Sequence, residues 1–100
     1  MFWVISCVDN PDTAAIREKV LQPHRDYLAS QKGILVVSGA TQNDDGTAAI
    51  GSLFIVNVEN RAKAKAFSDG DPFAQNGVFK SVTITRMRKG QFNPGAAEGA

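Results

Sequence analysis

Apolar and polar side chains divide the chain into four apolar runs separated by two mixed stretches and one polar turn. Phe2 to Val8 are β-branched, aromatic or small, and "DNPD" follows with turn chemistry, which predicts a strand over 2–8 and then a break. Asp12 or Thr13 is placed to cap a helical piece over 13–19. Pro23 cannot continue that helix without losing a hydrogen bond, yet it suits the first position of a new one. A second piece over 23–32, stopped by Gly33, is therefore expected. "ILVVSGA" (34–40) and "IGSLFIVNV" (50–58) read as strands, with Asp45-Gly46 between them as a hairpin turn signal. Asn60 caps a helix over 61–69 whose apolar stripe is Ala62, Ala66 and Phe67, and Gly70 ends it. "DPFAQNGV" is a turn or a single helical turn, and "VFKSVTITRMR" (78–88) is the last strand. The tail "GQFNPGAAEGA" is rich in Gly, Ala and Pro and is expected to be disordered from about residue 93.

The order βαββαβ predicts an α+β, ferredoxin-like domain over residues 1–90, a four-stranded antiparallel sheet with helices on one face, followed by a flexible tail over 91–100. A sheet with one wet face alternates apolar and polar residues, but these strands are apolar on both. Phe2, Val4 and Val8 oppose Trp3, Ile5 and Cys7; Phe54, Val56 and Val58 oppose Leu53 and Ile55; Ile34 and Val36 oppose Leu35 and Val37. One helical layer covers one face, so a homodimer that stacks two sheets into a dimeric α/β barrel is expected. The tail, with Phe92 as its one large apolar residue, can hide little of the second face.

One hundred residues with 43% hydrophobic and 21% charged side chains suit one globular domain. The formal charge is +1, from 11 Lys and Arg against 10 Asp and Glu, with one short cluster at Arg86, Arg88 and Lys89. That is no electrostatic footprint for nucleic acid. No run approaches the roughly 20 apolar residues of a membrane helix, and "MFWVISCVDNP" lacks a basic n-region, so a cytoplasmic protein is expected. The single cysteine, Cys7, lies in an apolar strand and reads as a buried hydrophobe in a reducing compartment.

There is no phosphate-binding loop, no dinucleotide fingerprint and no CxxC, and with one His and one Cys no His/Cys zinc cluster. "NDDG" at 43–46 is a turn before it is a magnesium site. What remains is one imidazole and some carboxylates. His24 falls near the second position of its helix, where the dipole disfavours a positive charge and a carboxylate partner pushes the other way. Asp71 is that candidate partner, because the two crossovers of a split βαβ fold can bring the helix entry at 24 and the helix exit at 71 to one end of the sheet. Both residues also have bland readings, a half-exposed first-turn histidine and an Asp-Pro cap closed by Gly77. Arg17 is by default a solvated charge, and beside a functional site an anion clamp.

"QPHRDYLASQKGILVVSGA", the "DDG" turn, "IGSLFIVNVENRAKAKAFSDGDPF" and "NGVFKSVTI" together resemble the YCII-related family of the dimeric α/β-barrel superfamily, over roughly residues 2 to 88. The most specific parts are Arg17 with Pro23-His24, and Asp71-Pro72-Phe73 with Gly77. The resemblance implies an active-site pair of His24 and Asp71, with Arg17 matching the family's arginine and Phe73 lining the pocket. Members usually carry Gly-Pro after the second strand, where this chain has Ser38-Gly39-Ala40. Superfamily relatives include lactone isomerases, cofactor-independent monooxygenases and dehydrochlorinase-type lyases acting on small cyclic or aromatic compounds; fold analogy alone does not fix a reaction.

Two functions follow as expectations. In the first, a cofactor-free, metal-free isomerase or lyase uses His24 as general acid/base and Asp71 as its orienter, and Arg17 or a backbone N–H near Ser38 holds an oxygen of a small-molecule ligand. In the second, a non-catalytic ligand-binding or accessory domain uses the same pair only to pin two helix ends.

Overall fold

In the computed structural model, which describes residues 1–100, the apolar runs are strands β1 (Phe2–Asp9), β2 (Leu35–Gln42), β3 (Ala49–Asn57) and β4 (Phe79–Met87). Each crossover is two helical pieces: α1 (Ala14–Lys19) with α2 (Leu21–Ser30), and α3 (Arg61–Gly70) with α4 (Pro72–Gln75). The sheet order is β2-β3-β1-β4 with every pair antiparallel, the ferredoxin-like arrangement. Apolar periods of two and of three to four therefore report the right elements; differences of detail have local causes.

The first crossover breaks at Val20, whose N–H still reaches Ile16 O, and α2 begins at Leu21, so Pro23 is the third helical residue and His24 the fourth. No N–H in a first turn needs an intrahelical acceptor, so proline is tolerated there beyond the first position. The helix ends at Ser30 through a turn in which Ile34 and Leu35 donate to Gln31 O, and Gly33 has no positive φ, so it is not a left-handed stop. Thr13 occupies the cap position of α1, but its hydroxyl turns to Asp9 Oδ2 and Asn10 O. Asn60 caps α3 as expected, its Oδ1 accepting from Lys63 N at 2.9 Å.

The buried stripe of α3 is Ala64, Phe67 and Ser68, while Ala62 and Ala66 face solvent. Alanine at every second position leaves the helical phase ambiguous in sequence; Phe67 decides it by packing edge-on against Phe54 at 5.6 Å. Gly70 belongs to the helix and is needed for proximity, since a Cβ there would lie 2.5 Å from the Tyr27 hydroxyl. Gly46 and Gly77 do take positive φ, 72° and 75°, in the hairpin and after α4.

The helices cover the face carrying Trp3, Ile5, Cys7, Phe54 and Val56, which with Ala64 and Phe67 form the core. In β2 the alternation changes phase: Leu35 opposes Val56, Val37 opposes Ile55 and Ser38 opposes Phe54, so Val36 is an inserted bulge residue. Leu35, Ser38 and Ala40 thereby share the helix face, which simple alternation does not predict. The opposite face carries Phe2, Val4, Val8, Leu53, Ile55 and Val37, among which Val8 and Val37 are about half exposed. Phe92 touches its edge through a T-shaped contact with Phe2 at 6.4 Å, and Pro94–Ala97 form one 3-10 turn. No helix is long and apolar enough to cross a membrane.

Two substitutions test this packing by urea unfolding. Ile5→Ala, at a fully buried position, is expected to cost about 2–5 kcal/mol. Gly70→Ala, favourable by helix propensity, is expected instead to cost about 1–3 kcal/mol because Tyr27 must move; a stabilised Gly70→Ala protein contradicts the close packing.

Candidate active site

Asp71 is the hinge between α3 and α4. Its backbone is extended and Pro72 follows at the first helical position, so its Oδ1 accepts from Phe73 N at 2.9 Å and caps the short helix. The same oxygen lies 2.7 Å from His24 Nδ1. A carboxylate only accepts, so the proton between them belongs to Nδ1 and the lone pair of a neutral ring is on Nε2. Nε2 has no protein partner and is not fully buried. Asp71 is 1% exposed, and its Oδ2 is buried without a partner.

The imidazole is held on its faces as well. It stacks on Phe73 with centroids 3.7 Å apart and planes 4° from parallel, and Phe54 meets it edge-on at 6.5 Å. Arg17 lies over the same Phe73 ring at 4.9 Å. Its Nε and Nη2 form a fork on Asp9, at 2.8 and 3.0 Å, and Nη2 also reaches Gly51 O at 2.7 Å and Ser52 Oγ at 3.1 Å. This nearly buried pair ties α1 to the ends of β1 and β3, and only Nη1 is left without a protein partner.

These groups border a cavity of about 310 Å³, lined on the helix side by Arg17, Leu21, His24, Arg25, Leu28 and Phe73, and on the sheet side by Ser38, Gly39, Ala40, Ser52 and Phe54. The volume suits a single substituted ring. All five site residues named from sequence border it or, for Asp71, sit directly behind it. Asp9 and Arg25 were not among them. Asp9 is hidden in the turn string "DNPD"; Arg25 could have been found, because Leu21, His24, Arg25 and Leu28 are spaced as one helix stripe. No group of three or more His, Cys, Asp or Glu side chains is placed to hold a metal ion.

Two neighbours stay protonated. Burial first, then the charges of Asp71 and Asp9, push the Cys7 thiol up to about 12, with Arg17 opposing. Burial, then Asp71 and Asp69, raise Tyr27, whose hydroxyl donates to Phe67 O at 2.7 Å. Neither group is a nucleophile at neutral pH.

An antiparallel four-stranded α+β domain with a histidine held by a buried aspartate beside a ring-sized pocket defines a class of small proteins, and the family follows from direct comparison. The YCII-related domain matches residues 1–88, and the chain belongs to that family. Protein YciI of Escherichia coli O6:H1 is 31% identical over 96 residues, covering 89% of this chain and 98% of the relative, and Protein YciI of Shigella flexneri matches equally. Among solved structures, the 5-chloro-2-hydroxyhydroquinone dehydrochlorinase TftG of Burkholderia phenoliruptrix AC1100, in complex with 2,5-dihydroxybenzoquinone, superposes with a TM-score of 0.81 at 26% identity, covering 90% of this chain and 96% of its own. Protein Atu4242 of Agrobacterium tumefaciens, at 0.57 and 18%, covers 94% of this chain and 98% of its own, and shares the fold.

Because Oδ2 of Asp71 has no partner, Asp71→Asn is expected to keep both hydrogen bonds at Oδ1 and the Nδ1–H tautomer of His24, read from imidazole ¹⁵N shifts. Asp71→Ala loses cap and pair together and is expected to cost about 1–3 kcal/mol. For Cys7 the folded value lies above the ordinary 9.0, so the unfolded thiol ionises first and stability falls as pH rises from about 9 toward about 12. Native protein should resist iodoacetamide at about pH 8 and react once denatured; rapid native labelling contradicts the burial.

Proposed function

We propose that the protein is an enzyme that moves protons on a small cyclic or aromatic compound, with His24 as general acid/base and Asp71 as its orienter. One observation carries this reading: Nδ1 is fixed on a buried carboxylate at 2.7 Å while Nε2 is left unpartnered on a residue that lines the pocket. Nε2 takes the proton of a C–H activated by a neighbouring carbonyl, and the bond pair moves onto that oxygen as an enolate. The imidazolium formed is stabilised by Asp71, whose Oδ1 accepts from His24 Nδ1–H throughout. Return of the proton to another atom gives an isomerisation; collapse of the enolate with departure of an anionic leaving group gives an elimination. The Nη1 of Arg17 and the pocket edge at Ser38 are the donors available to the enolate oxygen, with Phe73 supporting the imidazole.

TftG, a dehydrochlorinase of a chlorinated hydroxyhydroquinone, supports a hydroxylated ring as the substrate class and loss of chloride as the reaction to try first. A second reading, a ligand-binding or accessory domain, has its own support, because Asp71 Oδ1 also caps α4.

Chloride release from 5-chloro-2-hydroxyhydroquinone, and exchange of activated C–H with deuterium, separate the two readings. The enzyme reading expects His24→Asn to lower the rate about 10²- to 10⁴-fold, and Asp71→Asn, which keeps geometry but removes charge, to lower kcat by at least about tenfold with folding intact. No reaction of either kind, with unchanged binding of 2,5-dihydroxybenzoquinone in both variants, supports the binding domain.

The apolar outer face is the second part of the proposal: two copies stack through Val4, Leu53, Ile55 and Val37 as a homodimer. Light scattering at micromolar concentration should give twice the 10.7 kDa chain mass, and Ile55→Lys should shift it toward the monomer. A wild-type monomer sinks this part.

A further inference from the structure

The charges around the pocket do not balance. Its ionisable lining is Arg17, His24 and Arg25, with no aspartate or glutamate. Arg17 is matched by Asp9 and His24 by Asp71 behind it. Arg25 has neither an ion-pair partner nor a hydrogen bond to the protein, and its neighbour Asp26 is engaged by Gln22 at 2.8 Å. Yet Arg25 lies on the α2 stripe with Leu21, His24 and Leu28 and borders the cavity. A guanidinium beside a concave pocket raises the potential inside it, and its planar fork matches delocalised anionic oxygens.

We infer that Arg25 is the charge-selecting residue of the pocket, and that its ligands are single-ring organic acids bound in ionised form. The anionic oxygen, of a carboxylate or of an ionised ring hydroxyl, pairs with Arg25, and the ring lies against the apolar lining of Leu21, Leu28 and Phe54. Arg17 is paired with Asp9 through Nε and Nη2, so Arg25 is the one guanidinium of the lining whose charge no carboxylate of the protein offsets. The inference rests on the pocket as a small-molecule site, and not on His24 acting as a base.

Calorimetric titration of the full chain with 2-hydroxybenzoate, 4-nitrophenol above and below its own ionisation, and the neutral 2-hydroxybenzamide tests this. The anions are expected to bind at least about tenfold more tightly than the amide. Arg25→Gln should abolish that preference and Arg25→Lys restore part of it, both with wild-type thermal stability because the side chain is exposed. Dependence on Arg25 for 2-hydroxybenzoate alone identifies a carboxylate, and for 4-nitrophenolate as well an ionised hydroxyl. Equal binding of acid and amide, retention of the preference in Arg25→Gln, or no binding of either anion at millimolar concentration overturns the inference. Repeating the titration in His24→Asn separates it from the chemistry: Arg25-dependent binding there stands even where turnover is absent.

Discussion

A buried carboxylate sets the terms for one end of this molecule. Asp71 is 1% exposed, and a charge withdrawn from water must be met by donors. It meets two at a single oxygen, the Phe73 N–H and His24 Nδ1. The first starts α4 and seats the Phe73 ring; the second draws α2 against that ring, where the imidazole stacks at 3.7 Å. Arg17 then lies over Phe73 and reaches Asp9, Gly51 and Ser52, so the ends of β1 and β3 are tied to the same cluster. Local capping, tertiary packing and the orientation of the single histidine are one linked arrangement.

The features legible in sequence were those with local causes. Asp-Pro at 71–72 is a cap whatever surrounds it, and Asn60 likewise, so the starts of both helices of the second crossover are readable from a few residues. Strands are readable because β-branched and aromatic runs end at turn residues. His24 and Asp71 are 47 positions apart, and topology together with family resemblance, not spacing alone, suggested their meeting. What stayed hidden depends on partners far along the chain. The phase of α3 is set by Phe67 meeting Phe54, the need for Gly70 by Tyr27, and the fate of Arg17 by an aspartate that looks like turn punctuation. The Val36 bulge leaves no mark in its own string of valines and leucines, because only the register against β3 defines it.

The two sides of the pocket have different physical characters. The helix side carries two charge-paired contacts, Asp9 with Arg17 and Asp71 with His24 and the α4 cap, and one unpaired guanidinium, Arg25. The sheet side at Ser38, Gly39 and Ala40 is an edge strand with exposed residues. The paired charges and the outer wall of the pocket are thus supplied by separate segments.

The bulge at Val36 turns that separation into a route for divergence. One residue gained or lost there exchanges which of residues 37 to 41 face the cavity and leaves α2, α4 and their charges untouched. A single insertion or deletion on this edge strand therefore reshapes one wall of the pocket while the histidine and its aspartate stay in place.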